Sequence, residues 1–255
     1  MSAPEFQIKE LVAQKWDLAS DTFDTHPGHG IQSKKERDAW KHIFKQVFKE
    51  KNLKILDVGC GTGELSILFS EMGNKVTGID ISKKMIYVAK TKAKSCKANI
   101  IFEEGDAENP NYDAGSFDIV FNRHLLWTLP NPKLAVENWK KILRKGGKVV
   151  IIDGVWDKGN LSSKVRITAS DILKLVIERK DPTKGHARYS EELKSNLPNY
   201  GGAPLEKVKE YLSNTGFEKI QTFDLKAIRD TQEEKMPLSE RILRDYQYYL
   251  ICGQK

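Results

Sequence analysis

The chain has little that would tie it to a membrane or to a disulfide framework. No run of about eighteen apolar residues occurs in its 255 residues, so no membrane-spanning helix is expected. The opening stretch, MSAPEFQIKELVAQKW, brings in an acid early and has no apolar core, so it does not read as a secretory signal. Cysteine is scarce: Cys60, Cys96 and Cys252 are odd in number, far apart and without CxxC spacing. That excludes a disulfide scaffold and a zinc ribbon, and a reducing cytoplasm is the expected compartment. Arginine is sparse, and aromatics do not interleave with the lysines that carry most of the net charge of +7. Lys83, Lys84, Lys90, Lys92, Lys94 and Lys97 therefore read as solvated helix faces, with a nucleic-acid or anion-binding face as the rival reading. There is no internal repeat, and nothing in the pattern specifies an oligomer.

What is present is an alternation of short apolar runs with helical segments. Glu5–Asp17 reads as a short amphipathic helix with Phe6, Leu11, Val12 and Trp16 as its apolar residues. The segment DTHPGHGIQS (24–33) follows and cannot be helical. Ser33 with Glu36 three residues on is a capping-box pattern for a second helix to about Phe48. Strands are then expected at 54–58, 75–79, 99–104, 117–122 and 148–153, separated by helices at 64–72, 82–95 and 131–143. The last of these helices opens on Asn131-Pro132 and is expected to end at Gly146-Gly147. A further helix at 163–178, another at 204–214 and strands at 217–225 and 245–253 complete the pattern. Alternating apolar strands and helices imply a parallel α/β sheet covered on both faces. The chain reads as one domain: residues 1–50 as an N-terminal helical flap and 51–255 as the core, with 155–203 inserted as a lid.

The most informative stretch is ILDVGCGTGELS (55–66), a strand running through Gly59-Cys60-Gly61-Thr62-Gly63 into a helix. Glycines there allow a tight turn and close approach of backbone to a ligand, and the helix aims its free N–H groups at the same place. The spacing is GxGxG rather than the GxGxxG of dinucleotide sites, and Asp57 precedes it. A carboxylate there repels a pyrophosphate and welcomes a cationic or zwitterionic ligand. Asp80 ends the second strand 17 residues beyond Gly63, where an acid can accept both hydroxyls of a ribose. Asp106 follows the third strand and can accept an adenine amino group. For Asp80 or Asp106 alone an exposed loop acid is the default reading; the order, one acid after each of three strands, is the signal.

These residues resemble a class I S-adenosylmethionine-dependent methyltransferase. The resemblance covers about residues 53–153 and the last two strands, and the segments LDVGCGTG, GIDIS, GDAE, FDIV and LRKGGKVVIID are similar to the small-molecule branch typified by ubiquinone and menaquinone biosynthesis. It implies a Rossmann-like seven-stranded, mostly parallel sheet with an antiparallel last strand. It also implies S-adenosyl-L-methionine as cofactor: Gly59, Cys60, Gly61 and Gly63 at its methionine part with Asp57 beneath, Asp80 at the ribose, Ile81 and Met85 beside the adenine, Asp106 and Ala107 at the adenine edge, and Asn122 at the methionine end.

The acceptor side is read from NRHLLWTLPNP (122–132), at the carboxyl end of strand four. His124 has the pKa range of a general base or an orienting group; the alternative is a packed histidine bonding a carbonyl. Arg123 is a candidate for binding an acceptor carboxylate or phosphate, or else part of a structural ion pair. Trp127 is a candidate wall of the pocket, or core. Trp16, Phe23, His26 and His29 read as a mobile flap with one histidine touching the acceptor, since a metal site finds no clear set of further ligands nearby. His26, His29 and His124 converging on a metal is the sharper alternative, and no metal is expected. Residues 186–203 are expected to form a second flap in which Tyr189 and Tyr200 face either the acceptor or solvent. No NPPY-like tetrapeptide follows strand four, which argues against methylation of nucleic-acid bases. The expected activity is methyl transfer to a small-molecule acceptor; the alternatives are an RNA methyltransferase and a non-catalytic S-adenosylmethionine-binding protein.

Overall fold

A computed structural model describes residues 5–26, 28–156, 161–179, 189–243 and 248–255. Pro27, parts of the expected lid (157–160 and 180–188) and residues 245–247 of the expected last strand lie outside the described residues. Seven strands form one sheet: β1 (Lys54–Val58), β2 (Lys75–Asp80), β3 (Ile100–Glu104), β4 (Phe117–Arg123), β5 (Leu143–Gly154), β6 (Glu218–Asp224) and β7 (Tyr248–Gln254). Their order is β3-β2-β1-β4-β5-β7-β6. β1 to β5 pair in parallel, and β7 runs antiparallel to both β5 and β6.

The central strands β1, β4, β5 and β7 are apolar on both sides because both faces are covered, whereas the edge strands β3 and β6 are largely exposed. Leu56, Val58, Val120, Val149 and Ile151 pack with Trp139 of α5 (Pro132–Ile142) and Leu212 of α8 (Leu205–Asn214). The alternate residues Ile55, Ile119, Phe121, Val150 and Ile152 pack with Trp40 and Phe44 of α2 (Lys34–Val47) and Phe69 of α3 (Glu64–Glu71). Phe44, Phe69 and Phe121 meet edge to face at 4.7 to 5.7 Å. Burial of each such ring contributes about 1.5–3 kcal/mol.

α2 begins as its sequence implies, with Ser33 Oγ accepting the Glu36 N–H at 3.1 Å. The return half of the box differs: Glu36 accepts the N–H of Gln32, and its other oxygen takes Gln232 of α9 (Lys226–Glu233). α9 and α10 (Leu238–Arg241) were not expected from the sequence. Gly146 and Gly147 do not end the helix at 131–143. α5 stops at Ile142, β5 starts at Leu143, and the glycines lie within β5, where the register with β4 shifts between Phe117 and Ile119. Gly146 has φ +78°, so it turns the strand locally rather than capping a helix. Asn131 likewise makes no side-chain cap; its N–H donates to Glu108.

The chain winds from β1 outward to β3, then returns to place β4 on the other side of β1. That reversal opens a crevice at the carboxyl ends of β1 and β4, the usual ligand position in such sheets. α1 (Glu5–Ala19) and the bend after it lie over this end and pack on α4 (Lys83–Ser95). Part of the insertion closes the same side. Tyr189, Leu193 and Leu197, around α7 (Glu191–Ser195), pack with Ile8 and Val12 of α1, whereas α6 (Leu161–Val176) packs on α10.

Candidate active site

The turn after β1 is held open by left-handed backbone. Gly61 and Gly63 have φ of +53° and +76°, and a Cβ on Gly63 would sit 2.6 Å from the Phe102 ring. No other residue fits that close approach. Cys60 N–H donates to Ile79 O and Gly61 N–H to Asp80 Oδ2, both at 2.9 Å, so the turn is bonded to the end of β2. Asp80 Oδ1 accepts Ser82 N–H at 2.9 Å. Despite these donors, burial pushes the Asp80 carboxyl up to about 6. Asp57, one strand over, is buried beneath the turn and accepts Ser66 Oγ at 2.5 Å. Burial raises it to about 7, against the opposing effects of Ser66 and of the Arg123 charge. Buried carboxylates held short of full ionisation suit a cationic ligand, which would restore their charge.

At the end of β4 the side-chain amide of Asn122 is fully buried, with no partner for its nitrogen or its oxygen. A buried amide left unbonded is costly and points to a ligand at that spot. Met85 is buried and Ile81 half-buried in the segment after β2. Ala107 is buried after β3, its carbonyl taking Trp139 Nε1–H at 2.8 Å. The expected cofactor residues thus surround one end of the sheet. Burial also raises the Cys60 thiol well above its ordinary range, which disfavours the thiolate.

Three polar anchors seat the N-terminal flap on the three loops of this site. Lys9 pairs with Asp106 at 2.9 Å. Asp17 accepts Ser82 Oγ at 2.6 Å and Lys84 N–H at 3.1 Å at the start of α4. Asp24 accepts Thr62 Oγ at 2.5 Å in the glycine turn and Lys92 at 2.7 Å. Phe23 lies over Gly61, 3.5 Å from where its Cβ would be. None of the three charged residues was singled out from sequence: Lys9 and Asp17 on the amphipathic helix and Asp24 in the bend after it read as ordinary surface charge, and only docking onto the sheet gives them these partners.

The aromatic candidates are brought together. Trp16 meets Phe23 and Trp127 edge-on at 5.8 and 5.9 Å, and Trp127 stacks on Tyr189 at 5.4 Å and approaches Tyr200 at 6.1 Å. Tyr189 is buried, not exposed. Trp156, which the sequence reading passed over, joins Trp127 at 5.3 Å to His124 at 5.7 Å. His124 has φ +56° and stacks on Tyr248 at 5.3 Å. A left-handed non-glycine residue at a strand end marks a turn whose geometry is enforced by its surroundings.

His29 stacks on Phe23 at 4.3 Å and meets His26 at 6.1 Å, while His124 has its ring contacts elsewhere. Among the described residues no three His, Cys, Asp or Glu side chains are grouped to hold a metal. Arg123 donates to the carbonyls of Gly28 and His29 and lies 5.8 Å over the Trp40 ring. It is bound to the backbone at Gly28 and His29 rather than standing open to an acceptor anion.

Residues 56–151, the stretch carrying the glycine turn and the acids after it, match the family described as Methyltransferase domain. Among curated proteins, the ubiquinone biosynthesis O-methyltransferase of Coxiella burnetii is 35% identical over 145 residues, 55% of this chain and 60% of that protein. The match thus spans about 60% of that relative's length. In fold the chain is similar to phosphoethanolamine N-methyltransferase 2 of Haemonchus contortus, solved with S-adenosyl-L-methionine, at TM-score 0.67 and 19% identity over 97% of this chain and 60% of that one. It is similar also to the [4+2]-cyclase SpnF, at TM-score 0.66 and 16% identity over 100% and 98%. The Rossmann-like fold with its antiparallel last strand is therefore established, while names as different as methyltransferase and cyclase show that this fold hosts several chemistries. Among the described residues no helix is long and apolar enough to cross a membrane.

Proposed function

We propose that the protein is an S-adenosylmethionine-dependent methyltransferase acting on a small, planar, quinol-like acceptor in a reducing cytoplasm, as a single domain whose N-terminal flap and lid close over the site. The observation that carries this reading is the placement of Asp57, Asp80, Asp106 and the unbonded Asn122 amide at the carboxyl ends of four neighbouring strands, in a stretch that matches the methyltransferase family. The cofactor supplies a methyl group on a sulfonium, already primed to leave, so the protein's part is alignment, exclusion of water and removal of a proton. Asp80 holds the ribose hydroxyls, Asn122 the methionine end, and the negative charge of Asp57 offsets the cofactor's positive charge. The rings of Trp16, Trp127, Trp156, Tyr189 and Tyr200 form an apolar wall suited to a flat acceptor. The cations nearest the flap favour an acceptor without a phosphate or carboxylate: Lys9 and Lys92 are in ion pairs and Arg123 is bound to backbone carbonyls. His124 accepts the acceptor's proton. The relatedness to a ubiquinone O-methyltransferase supports the quinol class.

Calorimetric titration with S-adenosylmethionine, S-adenosylhomocysteine and NAD tests the cofactor. The first two should bind and NAD should not; NAD binding alone would overturn the reading. Asp80→Ala is expected to weaken S-adenosylhomocysteine about 100-fold, since hydrogen bonds to a charged group contribute about 1.5–3 kcal/mol each. His124→Gln should leave that affinity within about twofold while slowing turnover of a catechol acceptor about 100-fold, the scale of general-base catalysis. Unchanged turnover would make His124 a packing residue.

A further inference from the structure

α6, in the insertion after β5, turns an apolar side away from the protein. Leu161, Val165, Ile172, Leu175 and Val176 are between 56% and 77% exposed. At helical spacing they fall within one arc of about 100°, and they run about 22 Å along the axis. The opposite side carries Ser170, the only fully buried residue among the described side chains of α6. The helix packs on α10, whose Ser239 is also fully buried. Neither Ser170 Oγ nor Ser239 Oγ has a hydrogen-bond partner. A surface helix ordinarily does the reverse, with its apolar stripe on the core and its polar residues in water. A continuous exposed stripe of this kind marks a contact surface.

We propose that α6 is a seat for an anionic lipid surface: its apolar stripe enters the boundary between headgroups and acyl chains, and the basic residues around it pair with lipid phosphates. At 16 residues α6 is shorter than a membrane span. It therefore lies in the plane of the interface, as amphipathic helices with a basic polar side do.

The charge of this part of the chain selects that partner. Residues 157–188 hold eight basic and four acidic side chains, so a short segment carries more than half of the net charge of +7. Lys164 is exposed at the edge of the stripe, and Arg179 is exposed just beyond the helix. A second copy of the chain, packed stripe to stripe, would set two such positive surpluses against each other. A neutral bilayer would take the stripe and leave the basic residues without counter-charge. A bilayer with anionic headgroups supplies both the apolar boundary and the negative surface. Each Lys or Arg close to such a surface strengthens adhesion about fivefold.

The test is co-sedimentation of the full chain with vesicles of phosphatidylcholine alone and with vesicles of phosphatidylcholine and phosphatidylglycerol in equal parts. The mixed vesicles should bind the chain at least about tenfold more tightly than the neutral ones. Ile172→Gln combined with Leu175→Gln should lower affinity for the mixed vesicles about 30-fold or more, because two side chains lose their burial in lipid. Both positions are exposed, so the melting temperature of the double variant should stay within about 2 °C of the wild type. Lys164→Gln should weaken binding about fivefold. Tyr87→Gln, on α4 at a residue that is 72% exposed, should change nothing. No binding to the mixed vesicles, or binding that the double variant leaves intact, would overturn the proposal. Light scattering of the lipid-free chain that shows a dimer, dissolved by the double variant, would assign the stripe to a second copy and overturn it as well.

Discussion

Asp57→Asn is expected to make the ligand-free protein more stable at pH 8 while weakening cofactor binding. The Asp57 carboxyl ionises near 7 in the folded chain, against an ordinary value of 3.8, because it is buried beneath the glycine turn. Between those values the folded state holds a proton that the unfolded state has released. Stability therefore falls as pH rises through the window from about 4 to 7, and above it the cost of keeping a buried anion is fully present. A shift of about three pKa units corresponds to on the order of 4 kcal/mol at most. Asparagine keeps an acceptor for Ser66 and removes the charge. The gain at pH 8 should be about 2–4 kcal/mol, or a rise of roughly 4–16 °C in melting temperature for a domain of this size, and should shrink toward zero at pH 4. Affinity for S-adenosylmethionine should fall about tenfold as the attraction for its positive charge is lost. Thermal melts of wild type and variant across pH 4 to 8 decide the first part; parallel pH profiles would show that Asp57 is not the titrating group.

Arg123→Met should act in the opposite direction and reveal how the flap is fastened. The guanidinium donates to the carbonyls of Gly28 and His29, covers Trp40 and opposes the burial cost of Asp57. Methionine keeps the apolar stem and removes all three. A loss of about 3 kcal/mol is expected from hydrogen bonds made by a charged group. Limited proteolysis should cut the segment 26–31 at least about tenfold faster, because opening of the bend becomes easier. Combined with Asp57→Asn, the loss should be smaller than the sum of the two single effects predicts, by about 1 kcal/mol or more, because one charge then no longer needs the other. Additive effects together with an unchanged cleavage rate would show that Arg123 neither clamps the bend nor balances Asp57.

Much of the fold was legible along the chain. Strands β1 to β4 and helices α2 to α5 carry runs and stripes whose period matches their burial, and Ser33 and Ser82 cap α2 and α4 through their own hydroxyls. α9 was not legible. Its sequence, KAIRDTQE, has a single large apolar residue, Ile228, which enters the core, and the bond from Gln232 to a buried Glu36 far away in the chain ties it to α2. A periodic pattern records burial against a core and is silent on such a polar pair. Gly146 and Gly147 misled for a related reason: a glycine pair stops a helix and bends a strand equally well, and pairing with β4 and β7 made it the second.

The site divides in the same way. The residues proposed to hold the cofactor could be placed from sequence because they lie at or just past strand ends, where local spacing and the resemblance dictate position. Asp57, Asp80, Asp106 and Asn122 are of this kind. The flap's contribution could not be read. Lys9, Asp17 and Asp24 look like any surface charges until α1 lies across the sheet, and Arg123, read as an anion binder or a member of a structural ion pair, instead donates to the carbonyls of Gly28 and His29. The amino-acid sequence by itself determined the parallel sheet, its glycine turn and the acids around it, because those follow from local periodicity and backbone sterics. Only the tertiary structure decided which charges fasten the flap, which rings meet at Trp127 and which carboxylates pair with a lysine, because those contacts join residues as many as about a hundred positions apart, and no local pattern encodes them.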